Sequence, residues 1–316
     1  MSLKKYELIK EIGSGTFGRV WMAKDCVNNE LVAIKRRPKW QNVASREVEA
    51  METVRGEKGI IQIKRCFYSL TPGGIIMQNV VMPLMSRSLG TFIRENRALR
   101  KHNSAHRISP ELVKSISLQI VEGLAALHLS GYTHRDLKPD NILLMDVNGS
   151  EGDFPKINIC DLGSSKKLMK NDTNMPYVVS RFYRAPELLL GSCEYSEKID
   201  IWGCIFAELL ALDPIFVGRC PGKQRDSRVD VAKQGADEPF QILKIFEVLG
   251  SPNENDIKLL KNIIPKSINK MLDECIFAFK ISSISWFELL DGFFTNEYVY
   301  IQRTISKYFL QGEAAD

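Results

Sequence analysis

Over the first 36 residues, apolar and polar positions alternate in short runs broken by turn residues, the period of half-buried strands. The runs fall at 6–11, 19–24 and 31–36. A glycine-rich stretch follows the first, and Asn28-Asn29 marks a hairpin turn before the third. The period then lengthens. Val43, Glu47, Val48 and Met51 recur at helical spacing and predict a helix over about 43–55. Gly73-Gly74 reads as a turn between two further strands. The second of these, 75–82, is a nearly continuous apolar run, as expected of a buried strand. Residues 1–82 therefore read as a small, sheet-rich lobe.

Pro83-Leu84-Met85 reads as a connection into a larger, mainly helical lobe over 83–316. The segment 94–107 carries several Arg, Lys and His residues without apolar periodicity, and reads as an exposed loop, an insertion, with a docking surface as the alternative. Ser109-Pro110 opens a helix, Ser as N-cap and Pro in the first turn. Its buried stripe is Val113, Ile116, Ile120, Leu124 and Leu127, and Gly131 closes it. Two more polar stretches, 146–154 and 218–239, read as insertions. No internal repeat is present. The overall class is α+β, in two lobes.

Composition changes this picture little. The 316 residues suit one two-lobed domain, and 44% hydrophobic with 26% charged is ordinary for a globular chain. No uninterrupted apolar run reaches bilayer length, and the N-terminus lacks both a signal-peptide core and Gly at position 2, so no membrane partner is expected. Seven scattered cysteines, an odd number without paired spacing, imply reduced thiols in the cytoplasm or nucleus rather than disulfides or zinc. A net charge of +5 is mild and reads as a solvated surface. The basic residues are not interleaved with aromatics, so nucleic acid is not expected either.

The chemistry lies in five motifs, in one order within about 175 residues. They are Gly13-Ser14-Gly15-Thr16-Phe17-Gly18-Arg19-Val20, Val32-Ala33-Ile34-Lys35, His134-Arg135-Asp136-Leu137-Lys138-Pro139-Asp140-Asn141, Asp161-Leu162-Gly163 and Ala185-Pro186-Glu187. A glycine pattern of the first kind also occurs in dinucleotide-binding folds, but there it stands between a strand and a helix; here strands flank it. Together the set resembles that of the protein kinases.

That resemblance implies a two-lobed kinase fold, and ATP and Mg²⁺ as cofactors. Gly13, Gly15 and Gly18 would let backbone N–H groups face the phosphates. Lys35 would hold the α- and β-phosphates, oriented by Glu47, with Glu49 the alternative. Asp136 would be the catalytic base, and Asn141 and Asp161 would hold the metal. Lys138 would stabilise the transferring phosphate. A lysine at that position resembles serine/threonine kinases, and Ser180 stands where that class braces the catalytic pair. Leu162 replaces the usual Phe, in a packing role. Met82 would be the gatekeeper, and Leu84 and Met85 would offer backbone hydrogen bonds to adenine. Ile12, Val20, Ala33 and Leu143 would enclose the ring. Cys160 borders the site as a thiol either reachable by an electrophile or buried and inert.

The stretch Val178-Val179-Ser180-Arg181-Phe182-Tyr183-Arg184-Ala185-Pro186-Glu187 narrows the likeness. It resembles the branch of cyclin-dependent, mitogen-activated, glycogen synthase and CDK-like kinases, and Lys244-Ile245-Phe246-Glu247-Val248-Leu249-Gly250-Ser251-Pro252 supports that branch. The likeness covers residues 6 to about 255 and is greatest to glycogen synthase kinase 3, through Ile159-Cys160-Asp161-Leu162-Gly163-Ser164-Ser165-Lys166. It implies a basic trio, Arg46, Arg135 and Lys166, beside the activation segment. Where other members carry a phosphothreonine, this chain has Met175, so the trio would await a phosphate on a primed substrate. The competing reading neutralises it with Asp172, a phosphorylated Thr173 or a bound anion. Tyr177 matches the activation tyrosine. Expected partners are protein substrates and a scaffold or activator, with the chain itself monomeric.

Two places depart from the pattern. Asp200-Ile201-Trp202 runs straight into Gly203-Cys204, two residues short, which shifts a helix by about 200°. Either the helix starts differently or the chain lacks residues there. The late arginine that pairs with the Glu of Ala-Pro-Glu is also missing, and Arg303 is the substitute for Glu187. Two other functions compete with the leading one. A mitogen-activated-type kinase is suggested by Val81-Met82-Pro83-Leu84-Met85 and opposed by Met175. A nucleotide-binding pseudokinase gains only from the two departures.

Overall fold

A computed structural model describes residues 5–15, 18–39, 45–146, 154–169, 172, 174–218, 238–266 and 268. The chain packs as two compact units. One gathers Met1–Phe92, Pro110–His134 and Pro139–Lys167; the other gathers Ile93–Ser109, Arg135–Lys138 and Leu168–Asp316.

The first unit is built on five antiparallel strands, β1 (Tyr6–Gly15), β2 (Gly18–Asp25), β3 (Leu31–Pro38), β4 (Arg65–Leu70) and β5 (Ile76–Pro83), in the order β1-β2-β3-β5-β4. The hairpin turns fall where expected: Asn29 and Gly74 both take positive φ, 65° and 78°. One core cluster of the sheet joins Tyr6, Ala23, Val32, Ile34, Phe67 and Val81, with the Tyr6 and Phe67 rings stacked at 5.5 Å. A second cluster joins Val80 to α1 (Arg46–Thr53) through Ala50, Met51 and Val54, and to Ile60, Ile61, Ile63, Leu127, Tyr132 and Leu162. The helix expected over 43–55 is therefore present, with Ser45 as N-cap accepting from the Val48 N–H; Val43 lies outside the described residues. The 75–82 strand is buried only in its second half. Ile75 and Ile76 are exposed at the hairpin end.

β6 (Arg87–Ser88) follows β5 and leads into α2 (Leu89–His102), most of which belongs to the second unit, and then α3 (Pro110–Leu129); β6 pairs with β8 (Ile142–Met145), which pairs with β9 (Lys156–Ile159), and β7 (Tyr132–Thr133) pairs with β10 (Lys166–Lys167). The stripe expected on α3 is buried as read, from Val113 to Leu127. At 20 residues and mean hydropathy 1.3, α3 is long and apolar enough to cross a bilayer, but its apolar stripe is spent on the core of this unit. Two glycines let α3 come close to the loop after α1. A Cβ on Gly123 would lie 2.6 Å from the Gly59 carbonyl oxygen, and Gly59 itself has φ +74°. The same loop pairs with the end of β9: Ile61 N–H donates to the Ile159 carbonyl at 2.9 Å, and Ile159 N–H donates to that of Gly59 at 2.7 Å.

The second unit centres on α5 (Trp202–Ala211), which is buried nearly all round, as its almost unbroken apolar sequence requires. The unit also holds α4 (Pro186–Leu189), α6 (Glu238–Leu249) and α7 (Glu254–Ile263), and α4 packs on α6. The reading of 94–107 as a loop is corrected: residues 94–102 are helical, within α2. Leu89 and Ile93, one turn apart, are buried, and two of the basic side chains, Arg97 and Arg100, have partners. Arg97 donates to the Leu212 carbonyl and pairs with Asp213 at 2.9 Å, while Arg100 donates to the Ala211 carbonyl at 2.7 Å. Both arginines thus satisfy the orphan carbonyls at the end of α5. Of 218–239, residues 219–237 lie outside the described residues, Gly218 is buried, and Glu238 and Pro239 open α6. Residues 147–153 of the third predicted insertion are also outside.

Candidate active site

The nucleotide-side residues all belong to the first unit. The register of the sheet sets Val20 opposite Lys35, and Ala33 opposite Met82. Gly13 and Gly15 end β1, and Gly18 begins β2 at φ +120°. A Cβ at Gly18 would fall 2.5 Å from the Arg36 carbonyl oxygen, so only glycine fits there, while Gly15 faces open space. Ile12 is exposed on the same hairpin. Leu84 and Met85 are half-buried after β5, where Met85 Sδ accepts from Asn158 Nδ2 at 3.7 Å. Leu143 sits on β8, and its partner strand β9 leads directly into Cys160 and Asp161. Cys160 is half-buried, its N–H donating to the Asn141 carbonyl at 2.8 Å.

Lys35 is the electrostatic centre of this half. Its Nζ lies 2.6 Å from Glu47 Oε1 and 2.7 Å from Asp161 Oδ1, with the Lys35 and Glu47 side chains nearly fully buried. Burial alone would depress the lysine, but the two carboxylates outweigh it and hold its ammonium above the ordinary lysine range. Glu47, not Glu49, is therefore the acid paired with Lys35. Arg37 lies 3.9 Å from the other Glu47 oxygen. Asp161 takes φ 62°, an uncommon backbone for a non-glycine residue. Asn141 is buried in the short helical turn Pro139–Asn141. The Asp161 carboxylate and the Asn141 amide are hard oxygen ligands that fit Mg²⁺, which keeps waters and phosphate oxygens as its other ligands.

The phosphoryl-acceptor side belongs to the second unit. Asp136 Oδ1 accepts from the Ser180 hydroxyl at 2.7 Å and from its backbone N–H at 3.1 Å. Lys138 Nζ donates to Asp136 Oδ2 at 2.7 Å and to Ser180 Oγ at 2.9 Å. This closed triangle fixes the carboxylate and ammonium that the sequence singled out, with Ser180 as the expected brace. The scaffold beneath it was not foreseen. Asp200, at the point where the pattern runs two residues short, accepts from the Arg135 N–H at 2.8 Å, and α5 starts at Trp202. Arg184, buried, donates to the carbonyls of Val178 and Val179 and pairs with Glu238 at 3.0 Å. Val179 has φ 67°, and its N–H donates to the Arg135 carbonyl. Tyr183 donates to Glu208 at 2.6 Å. The adjacency of Arg184 to Ala185-Pro186-Glu187 was the signal available in the sequence.

Other expected residues are placed individually. Arg46 is exposed on α1, Lys166 lies on β10, and Arg135 Nη1 is 3.4 Å from the Tyr195 hydroxyl. Tyr177 is half-exposed with Arg184 over its ring at 4.2 Å, and Met175 is exposed. Thr173 and Arg303 lie outside the described residues. Burial raises the Glu187 carboxyl above the ordinary 4.5.

The Lys35–Glu47–Asp161 cluster of the first unit and the Asp136–Lys138–Ser180 triangle of the second each hold groups of the kind used in phosphoryl transfer. The model of the protein kinase domain matches residues 6–291, and the chain belongs to that family. Among its relatives, the probable serine/threonine-protein kinase glkA of Dictyostelium discoideum is 34% identical over 258 residues, 81% of this chain and 47% of that protein. Glycogen synthase kinase 1 of Pyricularia oryzae is 35% identical over 261 residues, 81% of this chain and 58% of that protein. The chain thus spans about half the length of the curated relatives it matches.

Proposed function

We propose that the chain is an active serine/threonine protein kinase that moves the γ-phosphoryl group of ATP to hydroxyls of protein substrates. The observation that carries this is the buried Lys35 ammonium held between Glu47 and Asp161. Lys35 binds the α- and β-phosphates, and Glu47 keeps it aimed. Asp161 and Asn141 hold Mg²⁺, which when bound neutralises charge on the phosphate oxygens. Asp136 accepts the proton of the substrate hydroxyl through Oδ2, the oxygen not braced by Ser180. Lys138 balances charge on the transferring group. Lysine at this place favours Ser and Thr acceptors.

Substrates primed by an earlier phosphate are the preferred class. Met175 stands where other members of the branch carry a phosphothreonine, and Arg46, Arg135 and Lys166 are the cations that the resemblance assigns to a phosphate on the substrate. Tyr177 is the regulatory phosphosite, modified by the enzyme itself. The chain works as a monomer on soluble proteins of the cytoplasm and nucleus, with a scaffold or activator, as expected for the glycogen synthase kinase 3-like branch.

The test is transfer of labelled γ-phosphate from Mg-ATP to two serine peptides, identical except for a phosphoserine four residues C-terminal to the acceptor. Asp161→Asn is the control. Strong preference for the primed peptide is expected, and Arg46→Ala should remove it. Equal use of both peptides removes priming and keeps the kinase. No transfer above the control leaves a nucleotide-binding pseudokinase.

A further inference from the structure

The orienting helix α1 is eight residues long, too short to hold itself in water, so its setting depends on tertiary contacts. Its core-facing residues Ala50, Met51 and Val54 fix its depth against the sheet. Apolar contacts are non-directional and resist rotation about the axis poorly. Rotation is what Lys35 cannot tolerate, because Glu47 must present its carboxylate at 2.6 Å.

Two polar tethers answer that need. Glu47 is one. Glu49 is the other: its Oε1 accepts from the Tyr132 hydroxyl at 3.2 Å. Two residues along a helix are separated by about 200°. The two acids therefore hold α1 from opposite sides, and any turn that lengthens one contact strains the other. Tyr132 is itself well fixed. It is buried, packs in the same cluster as Ala50, Met51 and Leu162, and stands across from Lys167 in the β7–β10 pair. The Lys167 ammonium lies over its ring at 4.9 Å. Burial also raises the phenol above its ordinary range, so it remains a donor at neutral pH.

We propose that Tyr132 is a positioning residue for phosphoryl transfer. Through Glu49 it sets the rotation of α1, and so the aim of Glu47 at Lys35. Because its ring also carries Lys167, the tether couples that aim to the pairing of the strand that follows Asp161-Leu162-Gly163. The proposal rests on the reading of Lys35 and Glu47 given above.

Tyr132→Phe keeps the ring, its burial and the contact with Lys167, and removes only the hydroxyl. The expected result is a fall in kcat/KM for Mg-ATP of about two- to tenfold, the range of one hydrogen bond, with the KM for peptide unchanged. Amide exchange in α1 should quicken, and the melting temperature should move by about 2 °C or less. Glu49→Ala should match it, the double variant should be no worse than either, and Glu49→Gln, which keeps an acceptor oxygen, should restore most of the loss. Lys35→Met separates the two ideas. If Lys35→Met is inactive while Tyr132→Phe shows wild-type kinetics and exchange, or if the two tether variants are additive, the tether is overturned alone. If Lys35→Met transfers phosphate like the wild type, the underlying reading falls with it.

Discussion

Gly123→Ala is a small change with a computable cost. The new Cβ would lie 2.6 Å from the Gly59 oxygen and 2.9 Å from its carbonyl carbon, against an ordinary contact of 3.4 Å or more. The overlap is against backbone on both sides, so no side-chain rotamer can relieve it. Gly59 is held at positive φ and is hydrogen-bonded to Ile159, so it cannot simply retreat. Overpacking of this kind costs about 1–3 kcal/mol, here toward the upper end. Alanine returns up to about 1 kcal/mol through helix propensity. The net is about 1–2 kcal/mol, which lowers the melting temperature by about 3–6 °C for a chain of this size. Thermal unfolding followed by circular dichroism reads it directly. Relief by shifting Gly59 would drag the end of β9 and with it Asp161, so the KM for Mg-ATP should also rise. A Gly123→Ala protein that melts at or above the wild-type temperature would refute the reasoning.

Two further outcomes follow from the site. Ser180→Ala should lower kcat about tenfold with the KM for ATP unchanged, since it removes one hydrogen bond to each member of the Asp136–Lys138 pair and leaves the nucleotide residues intact; steady-state kinetics in which only the ATP KM moves would contradict this. Glu187 is raised by burial, so between 4.5 and its folded value the native state binds more protons than the unfolded one, and stability falls as pH rises through that window. Glu187→Gln should therefore melt about 2 °C above the wild type at pH 7.5 and lose that advantage below about pH 4.5. A variant that melts lower at pH 7.5 would point to a cation, such as Arg303, paired with the carboxylate.

The strands at either side of the glycine loop, the stripe on α3 and the motifs that hold the candidate site residues were legible because each is encoded within a few positions. Periodicity is local, and so are the motifs. The helix at 94–102 was missed for a physical reason: five basic side chains in nine residues hid the spacing of Leu89 and Ile93, and the use of Arg97 and Arg100 is defined by carbonyls more than 100 residues later. Helical phase put Glu47 and Glu49 on different faces and Glu47 is the one paired with Lys35, but the partner of Glu49 lies 83 residues away and left no local mark. Asp200 was read as the start of a faulty helix. The backbone N–H it serves could be found only in three dimensions.

The bridge between Ile60 and Ile159 also bears on the order in which the chain folds. All five strands of the main sheet lie within Tyr6–Pro83 and pair with near neighbours in sequence, apart from the insertion of β5 beside β3. Closing the bridge ties ends about a hundred residues apart, an entropic cost of about 4 kcal/mol that must be met before its contacts form. Lys35 can meet Glu47 early in synthesis, but it can meet Asp161 only after β9 has left the ribosome and docked. A nascent chain therefore displays the glycine-rich hairpin long before it can hold a nucleotide productively, and the ion pair that defines the enzyme marks the late completion of its first unit.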